Sequence, residues 1–193
     1  PILAIDGDPS SNLNLVLGMK MHETVGRIRE DARMQVSAGT FRPGIAKPDW
    51  VEYKVYECLV EGEGVDLLAM GRPEGPGCYC AANLMLRRCI DSLGNDYQFV
   101  VIDNEAGMEP LSRQTTRDVD VLFVISDPGY RGLAAAEHIL RLADELGTRV
   151  VRSYLVINNV TSELPDTLTE RIGGLAVTFL GILPRDPAVS ECD

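Results

Sequence analysis

Short runs of apolar residues alternate along the chain with segments whose apolar positions recur every three or four residues. The runs are nearly continuous, as in buried strands, and they span 2–6, 65–71, 97–103, 120–127, 152–160 and 175–184. Helical spacing marks residues 23–34, where Val25, Ile28 and Ala32 share one side. Further helices are predicted at 48–60, 79–94, 132–146 and 165–171, and a loop at 35–47. This alternation predicts an α/β fold with a doubly wound, mostly parallel sheet flanked by helices, as a single domain over 1–193.

Polar residues stand where several of these predicted strands end. Asp6 and Asp8 follow the first strand, and Asp103 ends the strand 97–103. The later strands end in the same way, at Asp127, at Asn158 with Asn159, and at Pro184 with Asp186. In doubly wound folds ligands bind beyond the carboxyl ends of the strands, and an aspartate held there can orient magnesium-bound water. The set therefore predicts a magnesium–nucleotide site, although any one of these aspartates can instead cap a helix.

Composition and charge narrow the classes of protein to which the chain can belong. Its 193 residues are 45% hydrophobic and 24% charged, as in ordinary globular proteins. A net charge of -11 argues against non-specific nucleic-acid binding. No apolar run approaches the roughly 18 residues of a membrane span, and no signal-peptide pattern opens the chain. Five cysteines, an odd number in a chain of this size, indicate the cytoplasm and free or metal-bound thiols.

Two cysteines, Cys78 and Cys80, lie two residues apart in the run GPGCYC. Thiolates are soft, anionic donors that suit Ni²⁺ or Zn²⁺, but one chain offers only half of a four-ligand site. A second copy related by a two-fold axis would supply the other pair. The alternative is that both are small buried hydrophobic residues, as is predicted for Cys58 and Cys89.

Several segments together give the chain a specific resemblance. Residues 5–13, IDGDPSSNL, resemble the first switch segment, D-x-D-P-x-x-N-L, of MinD/ParA-like P-loop ATPases. Residues 100–128 resemble their Walker B strand, second switch and following strand, and INNV and GILPRD resemble their adenine-side elements. GPGCYC matches the metal-binding C-x-C of the CooC-type accessory proteins of nickel carbon monoxide dehydrogenase. The chain therefore resembles the CooC-type ATPases over nearly its whole length.

The resemblance implies roles for the residues near the first switch. Asp8 would position the attacking water, and Asp6 would lie beside it, near the magnesium shell. Asp103 would hold magnesium through water, and Asn12 would belong to the first switch.

It also implies a base pocket and a metal site. Asn158 would hydrogen-bond adenine, and Pro184 with Asp186 would line the pocket of the base. Cys78 and Cys80 would bind the metal.

The function implied by the resemblance is that of an ATP-dependent metallochaperone. Binding of ATP with Mg²⁺ would close a homodimer that joins two C-x-C motifs, and hydrolysis to ADP would reopen it. The cargo would be Ni²⁺ or Zn²⁺, and the partner would be apo carbon monoxide dehydrogenase or a related nickel enzyme. No nucleic acid or membrane is expected as a partner.

One departure from the family is large. No Gly-Lys pair followed by Ser or Thr occurs in the chain, so it lacks the phosphate-cradling P-loop. In the family this loop precedes the D-x-D-P segment. The first strand, the P-loop and the first helix are therefore expected upstream of Pro1, and residues 1–193 alone are expected to bind and hydrolyse ATP poorly.

Three other functions stay open. A MinD/ParA-type positioning ATPase would need a C-terminal amphipathic helix or a basic surface. An iron-protein-like reductase would bridge an Fe–S cluster with two separated cysteines per chain, unlike the adjacent pair seen here. The third is a binding domain that has lost its P-loop.

Overall fold

The chain folds into two compact units, Pro1–Ala106 and Gly107–Asp193, each described by itself. The computed structural model describes residues 1–40, 44, 47–72, 80–112 and 118–192, with the backbone alone at 47–49, 51, 52, 80–83, 85, 112, 190 and 192. The single domain expected over 1–193 stays a prediction.

The first unit is built on a three-stranded parallel sheet in the order β2-β1-β3. The strands are β1 Ile2–Asp6, β2 Val65–Ala69 and β3 Phe99–Asp103. Around them lie α1 Leu13–Val16, α2 Val25–Ser37, α3 Lys47–Tyr56, α4 Cys80–Leu93 and a 3-10 turn, Gly94–Asp96. The chain passes from the central β1 to β2 on one side and then to β3 on the other. This reversal is the switch point of a doubly wound sheet, beside which ligands bind.

The core of the first unit forms where α2, α3 and α4 pack on one face of this sheet. Leu3 and Ile5 of β1 are fully buried there. The helices and neighbouring strands contribute Val25, Ile28, Val55, Cys58, Leu68, Met70, Leu86, Cys89 and Leu93. Helix α2 begins after Thr24, whose hydroxyl accepts a hydrogen bond from the Arg27 amide at 3.3 Å, as an N-cap should.

The second unit also has a three-stranded parallel sheet, here in the sequential order β4-β5-β6. Its strands are β4 Asp118–Ser126, β5 Arg149–Val160 and β6 Thr178–Pro184. Its helices are α5 Glu109–Ser112, α6 Tyr130–Glu145, α7 Asp166–Gly173 and α8 Pro187–Cys192. The core joins α6 and α7 to the sheet through Val124, Leu133, Ala136, Leu155, Ile157, Val160, Leu168 and Ile172.

The structure confirms the α/β class and shifts several boundaries. Helix α2 continues to Ser37, and α3 stops at Tyr56, short of the predicted 60. Val60, predicted to be helical, instead forms an antiparallel bridge with Leu67. The short helices α1, α5 and α8 were not predicted, since four to six residues are too few to show a helical period. None of the helices in the described part of the chain is long and apolar enough to cross a membrane.

Candidate functional site

Three predicted residues of the first unit, Asp6, Asp8 and Asp103, come together at the carboxyl ends of β1 and β3. We call this group the acid edge. The strand register places Asp6 directly beside Asp103, and the Gly7 amide donates to the Asp103 carbonyl oxygen at 2.8 Å. A Cβ atom at Gly7 would lie 3.1 Å from that oxygen, so glycine allows this close approach. Sequence reasoning missed the role of Gly7, whose signal was its place between two aspartates.

The Asp6 carboxylate is buried and faces the backbone. It is 1% exposed, and its two oxygens accept from two different amides. Oδ1 accepts from Asp8 N at 3.1 Å, and Oδ2 accepts from Leu13 N at 2.9 Å. Because these amides stand at the two ends of the loop 8–13, one side chain closes that loop.

Asp8 is less buried than Asp6. It is half-buried, and its Oδ1 accepts from the Ser10 amide at 2.7 Å. The contact turns the chain back on itself just after the predicted catalytic carboxylate. Asp8 therefore sits on an ordered turn at the rim of the acid edge, where a bound ligand would reach it.

The pKa of the Asp103 carboxyl reflects its surroundings at the acid edge. Partial burial raises the pKa of its carboxyl above the usual range, and the negative charges of Asp6 and Asp8 raise it further. A cation placed beside Asp103 would relieve this repulsion, and carboxylate oxygen is the ligand that Mg²⁺ prefers. In the described ranges no three His, Cys, Asp or Glu side chains converge as metal ligands. The acid edge thus fits a magnesium ion held by one or two carboxylates and completed by phosphates and water.

Asn12 stands at the start of α1, next to an exposed apolar pair. Its side chain makes no capping hydrogen bond and is exposed, while its carbonyl oxygen accepts from the Leu15 amide at 3.0 Å. Leu15 is 75% exposed and Val16 is 82% exposed.

In the second unit, Asn158, Asn159, Pro184 and Asp186 lie at the carboxyl ends of β5 and β6. We call this group the amide edge. The β5–β6 register shifts between Ile157 and Val160, and Asn159 has a φ of 61°. All four side chains are exposed. A bulge therefore lifts the asparagine pair out of the ladder, as bulges beside functional sites often do.

One of the aspartates at strand ends makes a helix-capping contact. The Asp186 carboxylate accepts from the Ala188 amide at 2.9 Å, in the first turn of α8. Asp127 accepts from the Gly129 amide at 2.7 Å in a turn before α6, whose N-cap residue, Gly129, has no side-chain cap hydrogen bond. The capping alternative therefore describes the contact of Asp186, whose place in a base pocket stays a prediction.

The predicted metal ligands lie where the described part of the chain resumes at α4. Cys78 falls outside the described residues, and Cys80 opens α4 with only its backbone described. Their metal role stays a prediction. Cys58 and Cys89 are buried, which confirms their assignment to the core. Burial raises the pKa of the Cys58 thiol to about 12, so this group stays protonated and is a poor metal ligand.

Known proteins resemble this chain over its full length. No protein-family model matches it. Over 192 residues it is 45% identical to an uncharacterized ATP-binding protein of Methanocaldococcus jannaschii, covering 100% of this chain and 76% of the relative. Over 205 residues it is 29% identical to the carbon monoxide dehydrogenase accessory protein CooC of Rhodospirillum rubrum, covering 100% of this chain and 75% of that protein.

Solved structures show the same fold at low sequence identity. The septum site-determining protein MinD of Pyrococcus horikoshii, solved with Mg-ADP, superposes with a TM-score of 0.63 at 20% identity, covering 98% of this chain and 71% of that chain. A ParA family ATPase from Chlorobium tepidum gives 0.64 at 17% identity, covering 98% and 73%. The fold is that of the MinD/ParA-like P-loop NTPases, as the motifs predicted.

Proposed function

The chain belongs to the same family as the ATP-binding protein of Methanocaldococcus jannaschii, and we propose that it carries the catalytic acids of a MinD/ParA-like ATPase that inserts nickel into an enzyme. The observation that carries the proposal is the acid edge. Asp8 lies on an ordered turn two residues after Asp6, which pairs with Asp103 at the aligned ends of β1 and β3, and its charge acts on Asp103. This is the switch point at which a doubly wound sheet binds ligands.

The acid edge divides the work of phosphoryl transfer among its residues. Asp8 would orient the water that attacks the terminal phosphate, and Asp103 is the residue that would hold Mg²⁺. The ion, when bound, neutralises charge on the phosphates. Asn12 lies in the segment that responds to the nucleotide, and the amide edge supplies Asn158, Pro184 and Asp186 to the adenine.

The acid edge supplies carboxylates and no positive field for the phosphates. In P-loop ATPases backbone amides and a lysine supply that field. The proposed ATP hydrolysis therefore needs such a loop as well as the residues of the acid edge.

The metal part of the proposal rests on the C-x-C motif and on the likeness to CooC. The CooC relative is named for carbon monoxide dehydrogenase, and at 29% identity it supports that client as a hypothesis. Cys78 and Cys80 of two chains form a four-thiolate site for Ni²⁺ or Zn²⁺ as cargo.

A second candidate is a positioning ATPase, which the fold likeness to MinD and ParA family proteins favours. It shares the acid edge and the nucleotide, and it differs in having no metal cargo. The two candidates therefore separate on metal binding and not on ATP hydrolysis.

The acid edge is tested by replacing Asp8 with asparagine in the full-length protein. Loss of the carboxylate is expected to lower kcat for ATP hydrolysis by about 10²–10⁴-fold while nucleotide binding persists. Asp91→Asn, an exposed aspartate on α4, serves as the matched control and keeps the wild-type rate. Wild-type turnover in Asp8→Asn would remove the catalytic assignment.

The metal cargo is tested by titrating Ni²⁺ and Zn²⁺ into the full-length protein with and without ATP. One ion per dimer is expected with ATP, and Cys78→Ser and Cys80→Ser are each expected to abolish binding. Cys58→Ser is the matched control, since that thiol is buried in the core. Unchanged stoichiometry in both serine variants would leave the positioning ATPase as the better hypothesis.

A further inference from the structure

We infer that Asp6 is a positioning residue, whose buried carboxylate clamps Asp8 and the start of α1 in place and touches neither magnesium nor nucleotide. This goes beyond the resemblance, which placed Asp6 near the magnesium shell, and it rests on the proposed function of Asp8. Both acids stand in one D-x-D motif, so the motif alone does not distinguish their roles. Their hydrogen bonds and their exposure do.

The hydrogen bonds of Asp6 account for both of its carboxylate oxygens. One oxygen is 3.1 Å from Asp8 N and the other is 2.9 Å from Leu13 N, and the residue is 1% exposed. A ligand of magnesium needs an oxygen that faces the solvent or the phosphates. Asp103, at the same level on the neighbouring strand, has that exposure, and Asp6 lacks it.

The backbone of Asp6 is held as firmly as its side chain. Its carbonyl oxygen accepts from the Met70 amide at 2.8 Å, and its strand is the central one of the sheet. A carboxylate fixed in this way can hold the loop that follows it in a defined position relative to the sheet. Charge-assisted hydrogen bonds from backbone amides also offset the cost of burying its charge.

The clamp spans a loop whose other hydrogen bonds, among the described residues, are short turns. Between Asp8 and Leu13 these include Ser11 N to the Asp8 carbonyl oxygen at 3.1 Å and Ser10 N to Asp8 Oδ1 at 2.7 Å. Releasing Asp6 Oδ1 frees the Asp8 amide, and releasing Oδ2 frees the first turn of α1. The position of Asp8 therefore depends on Asp6 through the backbone.

Replacing Asp6 with asparagine is the sharpest probe, because it keeps the size and removes one acceptor. The amide NH₂ group then faces a backbone N–H donor, so one of the two clamp contacts must break. Asp6→Glu keeps both acceptors and serves as the conservative variant.

A double-mutant cycle in the full-length protein distinguishes a clamp from a direct role. Asp6→Asn is expected to lower kcat about 10–100-fold, with KM for ATP and half-saturating Mg²⁺ within about two-fold of wild type. In the Asp8→Asn background the same change is expected to lower kcat no further, because Asp6 acts only through Asp8. Independent, multiplicative effects, or a tenfold rise in the Mg²⁺ requirement, would overturn the inference.

Amide hydrogen exchange tests the clamp without reference to ATP hydrolysis. In Asp6→Asn the exchange of the Asp8 or Leu13 amide is expected to accelerate at least tenfold, with Ile5 unchanged. Asp6→Glu is expected to retain partial protection, and it replaces Asp6→Asn if that variant fails to fold. Unchanged exchange at both amides overturns the clamp. A lack of ATPase activity in the wild-type protein would instead count against the proposed function alone.

Discussion

The acid edge and the amide edge differ in how polar side chains are held at the carboxyl ends of apolar strands. Both place polar groups after apolar parallel strands, at the carboxyl ends of a three-stranded sheet. At the acid edge the register is regular, and the buried Asp6 carboxylate takes backbone amides as partners. At the amide edge the register breaks, and Asn158 and Asn159 stand exposed on a bulge.

The chemistry of the two groups explains the difference. A carboxylate can be buried only with strong donors around it, so its neighbours must be held in an ordered loop. A neutral asparagine needs no such shell, and a bulge suffices to turn it outward. Two three-stranded parallel sheets therefore carry a buried carboxylate held by backbone amides in one case and exposed asparagines on a bulge in the other.

The strands that carry the two edges are expected to be stabilised to a similar extent by the buried leucines of their own units. Leu3 lies three residues before Asp6 on β1, Leu155 lies three residues before Asn158 on β5, and both are fully buried. Leu3→Ala and Leu155→Ala are each expected to cost about 3–5 kcal/mol of unfolding free energy, through lost transfer energy and a cavity. Denaturant titration, with hydrogen exchange of β1 and β5 amides, measures each unit. A cost below about 1 kcal/mol at either site would break the comparison.

The bulge of the amide edge is expected to require its unusual backbone. Asn159 has a φ of 61°, a conformation that asparagine and glycine tolerate and β-branched residues do not. Asn159→Ile is expected to cost about 1–3 kcal/mol, whereas Asn159→Gly leaves the stability nearly unchanged. Thermal unfolding of both variants measures this difference in stability. Equal stability of the two variants would show that the left-handed backbone is not needed there.

The smallest expected effect concerns the charge of Asp103. Its folded pKa is raised, by burial first and then by Asp6 and Asp8, so folding favours the protonated form. The stability that this carboxyl contributes is present below its unfolded pKa, about 3.9, and is lost as the pH rises through its folded pKa. Asp103→Asn is therefore expected to stabilise the protein at pH 7 by less than about 1 kcal/mol, because the side chain is partly exposed.

The pH dependence supplies the check on this last prediction. The gain from Asp103→Asn should shrink as the pH falls towards 4 in denaturant titrations. Asp186→Asn at the amide edge should change the unfolding free energy little, because asparagine caps a helix about as well as aspartate. A gain from Asp103→Asn that persists at pH 3 would point to packing and not to charge.

Local sequence patterns suffice to predict the strands and the positions of their polar ends. Apolar runs marked each of the six strands in the described part of the chain, and β1 matches its predicted bounds of 2–6. Asp6, Asp8 and Asp103 were located because a residue after an apolar run must lie at a strand end. The motifs also pointed to the P-loop NTPase fold, since the D-x-D-P segment and the Walker B strand are local patterns.

The differences among these residues arise from long-range packing, which local sequence patterns do not encode. The contact between Asp6 and Leu13 depends on the path of a loop, and the pairing of Asp6 with Asp103 depends on β1 and β3 being neighbours. The bulge at Asn159 likewise depends on the register with β6. Local patterns report burial and period, whereas the partners of a buried charge are set by which distant backbone groups packing brings within hydrogen-bond reach.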